Sequence, residues 1–160
     1  MALYELNGLE GPFGQFTATI TETVAAGDFV KPVGTTNIVT TTTYKTASTA
    51  NVTIEKCTTT TSTGHEALVC GIAMDSKTYS ATAIDNTISV ATRGIFLVPA
   101  NAAVAVGLGV CLMADCATAN YVTPSEAGGR MVGVALTPAD SQGQHILMLM
   151  TGLGNTGAVA

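Results

Sequence analysis

Apolar residues alternate with small or polar ones along most of this chain, and the dominant period is two. The pattern is clearest between Ile84 and Leu112. Asp85-Asn86 is a turn signal, because both side chains bond nearby backbone and tolerate left-handed dihedrals. Ile88, Val90 and Thr92 then share one face of a predicted strand. Arg93-Gly94 interrupts, Ile95 to Val98 resumes as an apolar strand, and Pro99 ends it, since proline donates nothing to a ladder. Val104, Val106, Leu108, Val110 and Leu112 alternate strictly and predict one strand across 104–112. Only Ala, Gly and Cys stand between them, so the second face is small enough to pack closely on another sheet or another chain.

The same period extends in both directions. Phe16, Ala18 and Ile20 oppose Thr17, Thr19, Thr21 and Thr23, which predicts a half-buried strand with a threonine surface. Ala26-Gly27-Asp28 is a turn, and Phe29 to Val33 is a short strand whose Pro32 suits an edge or an end. Residues 35–63 form a threonine-rich block, with 14 threonines in 29 positions and only Lys45, Glu55 and Lys56 charged. β-Branched threonine favours pleated backbone, so strands are expected near Ile38 to Tyr44 and Ala50 to Cys57, in preference to disorder. Ala67 to Met74 is continuously apolar and predicts a strand buried on both faces. Tyr121 to Thr123, Met131 to Leu136 and His145 to Met150 complete the set. Residues 99–103 could form a single helical turn, with proline at its start.

Nine to eleven strands and almost no helix predict an all-β fold, a barrel or a sandwich. It carries a Thr-rich β insertion at about 35–63. The body is expected over 16–151. An irregular arm over 1–15 precedes it, broken by Gly8, Gly11, Pro12 and Gly14, and a small-residue tail over 152–160 follows. Leu3, Tyr4, Leu6, Leu9 and Phe13 give the arm apolar anchors, which suit a surface better than water, whether the chain's own or a neighbour's.

Composition then narrows the function. Apolar residues make up 47% of the chain and mean hydropathy is +0.41, yet no run of about 18 apolar residues exists, so no membrane partner is expected. The first residues lack a basic segment of the signal-peptide kind. Charged residues are 11%, against about 25% in ordinary soluble domains. Such a chain must wet itself with Thr, Ser, Asn and Gly, or cover itself with partners. Four lysines and two arginines, scattered in a chain of net charge −5, give no phosphate-binding cluster, so nucleic acid is not expected as a partner.

Candidate chemistry is sparse. Cys57, Cys70, Cys111 and Cys116 contain no C-x-x-C pair, and with His65 and His145 they lack zinc-ligand spacing. Buried thiols are the preferred reading over a disulfide or a metal site. Gly107-Leu108-Gly109 lacks the third glycine of a dinucleotide loop, and Val69 stands where H-E-x-x-H needs its second histidine. No nucleophile elbow or carboxylate pair is present, so neither catalytic residues nor a cofactor are expected.

One ordered set of segments resembles a known family. Ala26-Gly27-Asp28-Phe29-Val30 is followed by Arg93 to Pro99, by Val104 to Leu112, by a polar loop and Tyr121-Val122-Thr123, and by Met131 to Leu136 before a closing strand. This order is similar to that of the capsid cement, or head decoration, proteins of tailed bacteriophages and related viruses. The resemblance implies a compact β-barrel or β-tulip domain on the exterior of the mature virion capsid. It would be made in the host cytoplasm, form a homotrimer, and bridge neighbouring major capsid proteins. Leu3, Tyr4, Leu6, Leu9 and Phe13 would then be capsid-contact residues of the arm. Two other readings stand beside it: a glycan- or surface-binding fibre-head module, and a self-assembling shell or filament subunit. The first suffers from the absence of Trp and the presence of only four Tyr as binding platforms.

Overall fold

The computed structural model describes residues 14–33, 52–57, 69–112, 120–124 and 131–150. Ten strands and no helix occur among them. They are β1 (Gln15–Ile20), β2 (Phe29–Val33), β3 (Thr53–Lys56), β4 (Gly71–Ala73), β5 (Thr87–Ala91), β6 (Gly94–Pro99), β7 (Gly109–Leu112), β8 (Val122–Pro124), β9 (Met131–Ala135) and β10 (His145–Met150). The all-β expectation holds. The arm before Gly14, the first expected threonine-block strand near 38–44 and the tail over 152–160 lie outside the described residues.

β1 to β5 close into a five-stranded barrel in the order β1-β3-β2-β4-β5, while β6 to β10 form a second five-stranded sheet in the order β6-β10-β9-β7-β8. The two orders are one circle. Replacing each strand of the first set by the strand five places later turns every antiparallel pairing into an antiparallel pairing of the second set. The β1–β5 ladder sets Ala18 opposite Ile88, and the β6–β10 ladder sets Val98 opposite Ile146. β2–β4 pairs Val30 with Gly71, and β7–β9 pairs Val110 with Gly133. β4–β5 pairs Ala73 with Val90, and β9–β10 pairs Ala135 with Met148. Even the bridges outside the strands repeat, Val24 with Lys77 and Val104 with Ala139. The chain is therefore a tandem repeat of one five-stranded unit.

Side chains follow the backbone. The buried cluster inside the first barrel is Ala18, Ile20, Val24, Val30, Ile54, Ala73, Ile88 and Val90. The positions matching these are Val98, Ala100, Val104, Val110, Val122, Ala135, Ile146 and Met148, and all are buried in the second cluster. Phe16 and Phe96, also matched, each pack half-buried against their own core. Gly71 and Gly133 match too, and for the same reason. A Cβ on Gly71 would lie 2.5 Å from the Ala91 carbonyl oxygen, and one on Gly133 would lie 2.7 Å from that of Leu149. Only glycine lets the neighbouring strand come so close.

The repeats differ at their seams. In the first barrel, β1 and β3 run parallel with two paired positions, helped by Thr19 N–H donating to the Val52 carbonyl at 2.9 Å. In the second, a single parallel bridge, Ala100 with Val122, joins the sheet's two edges. Pro99 occupies the place of Thr19 and has no N–H to give.

Two expectations change in detail. Residues 104–112 do not make one strand: Val104 forms its lone bridge, residues 105–108 turn through Gly107 at φ +82°, and only Gly109–Leu112 is β7. The strict alternation misleads because Val106 and Leu108 are apolar on an exposed turn. Residues 99–103 form no helical turn; Ala100 is drawn into the bridge with Val122. The Ala50 to Cys57 expectation is met by β3, with Ile54 fully buried as a member of the first barrel. The Ala67 to Met74 expectation narrows to β4, whose three residues are all buried, while Met74 is exposed and Ala67 and Leu68 lie outside the described residues.

Candidate functional site

The described residues contain no group of His, Cys, Asp and Glu that could hold a metal ion. His145 sits exposed at the start of β10, and His65 and Cys116 lie outside the described residues. Cys57, Cys70 and Cys111 are free thiols. Burial pushes the Cys57 thiol up to about 12, with the nearby Cys70 adding to the effect, and pushes Cys70 up to about 11. Thiols held protonated in this way are poor nucleophiles and poor ligands. Asp85 is fully exposed. Its carboxylate is held well below its usual range by the Lys77 ammonium at 2.8 Å and by the Thr87 hydroxyl and amide. That arrangement fixes a surface turn. No helix among the described residues is long and apolar enough to cross a membrane.

The two units meet at a shared apolar junction. Phe29, Cys57, Val69 and Ile72 of the first unit are buried in the same cluster as the core of the second. Phe29 and Ile72 are neighbours across β2 and β4, on the barrel's outer face. Asn120, just ahead of β8, reaches across to close the junction. Its side-chain oxygen accepts from Phe29 N–H at 2.9 Å, and its side-chain nitrogen donates to Asp28 Oδ1 at 2.7 Å. Asp28 Oδ2 in turn accepts from Ala25 N–H. Asn120 adopts φ +83°, a region that asparagine tolerates better than most residues. Within the first barrel, Lys31 is buried and paired with Glu55 at 2.9 Å across β2 and β3; the matched pair in the second unit is Cys111 and Thr123.

The outer face of the second unit is different in kind. Leu97 lies opposite Leu147 and Ile95 opposite Leu149 in the β6–β10 ladder, and Leu149 lies opposite Val134 in β9. Leu136 N–H donates to the Leu147 carbonyl, which extends the strip by one residue. Ile95 is 60% exposed, Leu97 67%, Leu136 40% and Leu147 40%. In the first barrel the places of Ile95, Leu97 and Leu147 hold Gln15, Thr17 and Ser89. The rim of this face is thus polar in the first unit and apolar in the second, while its centre in the first unit, Ile72 and Ala91, is buried. Periodicity marked these residues as strands, but which face meets solvent depends on the junction, which periodicity does not show.

Gly14 is pinned where the two units meet. Its carbonyl accepts from Thr92 N–H at 2.7 Å and from the Thr92 hydroxyl at 2.9 Å, in the two-residue link between β5 and β6. The expected arm contacts, Leu3, Tyr4, Leu6, Leu9 and Phe13, lie outside the described residues.

No curated protein matches the chain. Among solved structures, the chain is similar to the head fiber gp8.5 N base of bacteriophage phi29, with 15% identity and a TM-score of 0.49, covering 88% of this chain and 98% of that one. A family model described as phage cement protein matches residues 10–150, nearly the whole chain. This chain, two like β units with no reactive centre among the described residues and one uncovered apolar face, belongs to the phage cement protein family, structural components of the virion that associate with its capsid.

Proposed function

We propose that the chain decorates the exterior of the mature capsid and bridges neighbouring major capsid proteins as a homotrimer. The observation that carries this reading is the apolar outer face of the second unit, on a member of the phage cement family whose sequence is only 11% charged. Six part-exposed aliphatic residues side by side are costly in water and favourable under a partner. Many identical contacts over one shell add their modest energies, and multivalency makes the whole far tighter than any single contact. Residues 1–15 form an arm that starts from the fixed point at Gly14 and lays Leu3, Tyr4, Leu6, Leu9 and Phe13 on the capsid protein, where strand-like backbone pairing adds to apolar burial.

Co-sedimentation with expanded capsids of the encoding virus tests the reading. The full chain is expected to co-sediment and to raise the temperature at which the shell disrupts. Removal of residues 1–13 is expected to lower occupancy at least tenfold at equal concentration. A full chain that stays in the supernatant refutes decoration, and unchanged occupancy after truncation refutes the anchoring role of the arm.

A further inference from the structure

We propose that residues 151–160 and the arm form one two-part contact with the capsid protein, in which Leu153 and Val159 are the apolar anchors of the second part. The inference rests on the decoration reading above and adds to it a segment which that reading leaves unused.

The ladders fix where the chain enters and leaves the two-unit body. β5 and β6 are joined only through Thr92 and Arg93. β1 begins opposite the end of β5, with Gln15 facing Ala91, and just before it the Gly14 carbonyl accepts from Thr92 N–H at 2.7 Å. β10 finishes opposite the start of β6, with Met150 facing Gly94. The way in and the way out therefore flank one short link, Thr92-Arg93-Gly94. Paired strands put their Cα atoms about 5.5 Å apart, and two residues of extended chain rise about 7 Å. Gly14 and Met150 thus lie within about 18 Å of each other, the sum of two such pairings and that rise. The entry point is also tightly held. Gly14 adopts φ +69°, and a Cβ there would stand 2.3 Å from Arg93 Cγ.

Reach follows from chain length. At about 3.3 Å per extended residue, residues 1–13 span up to about 43 Å and residues 151–160 up to about 33 Å. Each span exceeds the separation of their starting points, so a capsid surface held by the arm lies within range of the second segment. Composition suits the same surface. Residues 151–160 contain no Asp, Glu, Lys or Arg, and Leu153 and Val159 stand among Gly, Ala, Thr and Asn. Segments that stay in water are typically rich in charge and proline. This one has neither, and its small residues allow close approach to another backbone. Once the arm is bound, the second segment binds intramolecularly, at an effective concentration of about the mM order for a short tether. Two modest anchors then raise occupancy well beyond what they would achieve alone.

Co-sedimentation with expanded capsids compares the full chain, a chain lacking residues 152–160, and the full-length variant Leu153→Asp, Val159→Asp. Each altered chain is expected to need at least fivefold more protein for half-occupancy, while melting within a few degrees of the natural chain by circular dichroism. A benzophenone photocrosslinker placed at position 153 is expected to join the chain to the capsid protein, as one placed at position 13 does. Unchanged occupancy in both altered chains, beside a loss on removing residues 1–13, overturns this inference and leaves decoration and the arm standing. So does a crosslinker at position 153 that never reaches the capsid protein while that at position 13 does. A full chain that stays in the supernatant removes the decoration reading and this inference with it.

Discussion

Gly71→Ala and Gly133→Ala form a matched pair of perturbations, because the tandem repeat places the two glycines in the same position of the two units. Neither glycine has a positive φ, so alanine is conformationally acceptable and the whole penalty is steric. At Gly71 the new methyl carbon would sit 2.5 Å from both the Ala91 carbonyl oxygen and Val90 Cγ1. The oxygen belongs to the neighbouring strand, so relief requires β4 and β5 to part. Overpacking of this kind costs about 1–3 kcal/mol, and loss of glycine's unfolded-state freedom returns about 0.4–1 kcal/mol. A net loss of about 2 kcal/mol is expected at Gly71. At Gly133 the nearest atoms are Met148 Cγ at 2.6 Å, the Leu149 carbonyl oxygen at 2.7 Å and Met148 Sδ at 2.8 Å. The methionine can bend away, and the Leu149 carbonyl oxygen stands 0.2 Å farther off than the Ala91 oxygen does at Gly71, so a smaller net loss of about 1 kcal/mol is expected. At 2–4 °C per kcal/mol for a chain of this size, calorimetry should show Tm lowered by about 4–8 °C for Gly71→Ala and about 2–4 °C for Gly133→Ala. If either variant melts with the natural chain, the close strand approach, and with it the matched role of the two glycines, is wrong.

Asn120→Ala removes two hydrogen bonds at the junction and puts alanine at φ +83°, so a loss of about 2–3 kcal/mol is expected in denaturant unfolding. Asn120→Gly relieves only the backbone part, so it should recover about 1 kcal/mol of that loss; full recovery would show that the clasp to Asp28 and Phe29 contributes nothing. Cys57 and Cys70 have thiols raised in the folded state, so the native chain holds protons that the unfolded chain releases above its ordinary thiol range. Stability is therefore complete below about pH 8.5 and should fall by about 1.4 kcal/mol per pH unit per thiol toward pH 11–12; a flat profile across that window, compared with a Cys57→Ala, Cys70→Ala variant, would contradict their burial. Native-state hydrogen exchange should open the second unit's seam, read at the Asn101 amide, about 1 kcal/mol more easily than the first unit's, read at Thr19 and Thr21, because Pro99 leaves one rung out. Equal protection would refute that account.

Much of the fold could be read from the chain because the physics was local. Alternating Ile88 and Val90, or Ile146 and Met148, must put one face inside, and Pro99 must end a ladder. The repeat was harder to see. Its clearest trace is Val24-Ala25-Ala26-Gly27-Asp28-Phe29-Val30 beside Val104-Ala105-Val106-Gly107-Leu108-Gly109-Val110, in which Val, Ala, Gly and Val recur at identical spacing and both glycines take positive φ. Elsewhere the matched positions share only size and burial, as with Ile54 and Val122, and exchange polarity freely, as with Lys31 and Cys111. The apolar strip was hidden for a related reason. Leu97 and Leu147 look like core residues in sequence, and only the placement of the two units shows that their side of the sheet is left open.

The central claim is that this two-unit β body is made to be covered by copies of itself and by a capsid lattice. An electron cryo-microscopy map of mature virions tests it most directly. The expected result is density for the two five-stranded units, three copies around each site, on the outer surface between capsid proteins. A shell whose outer surface lacks that density, or carries it as isolated single copies, would contradict the claim.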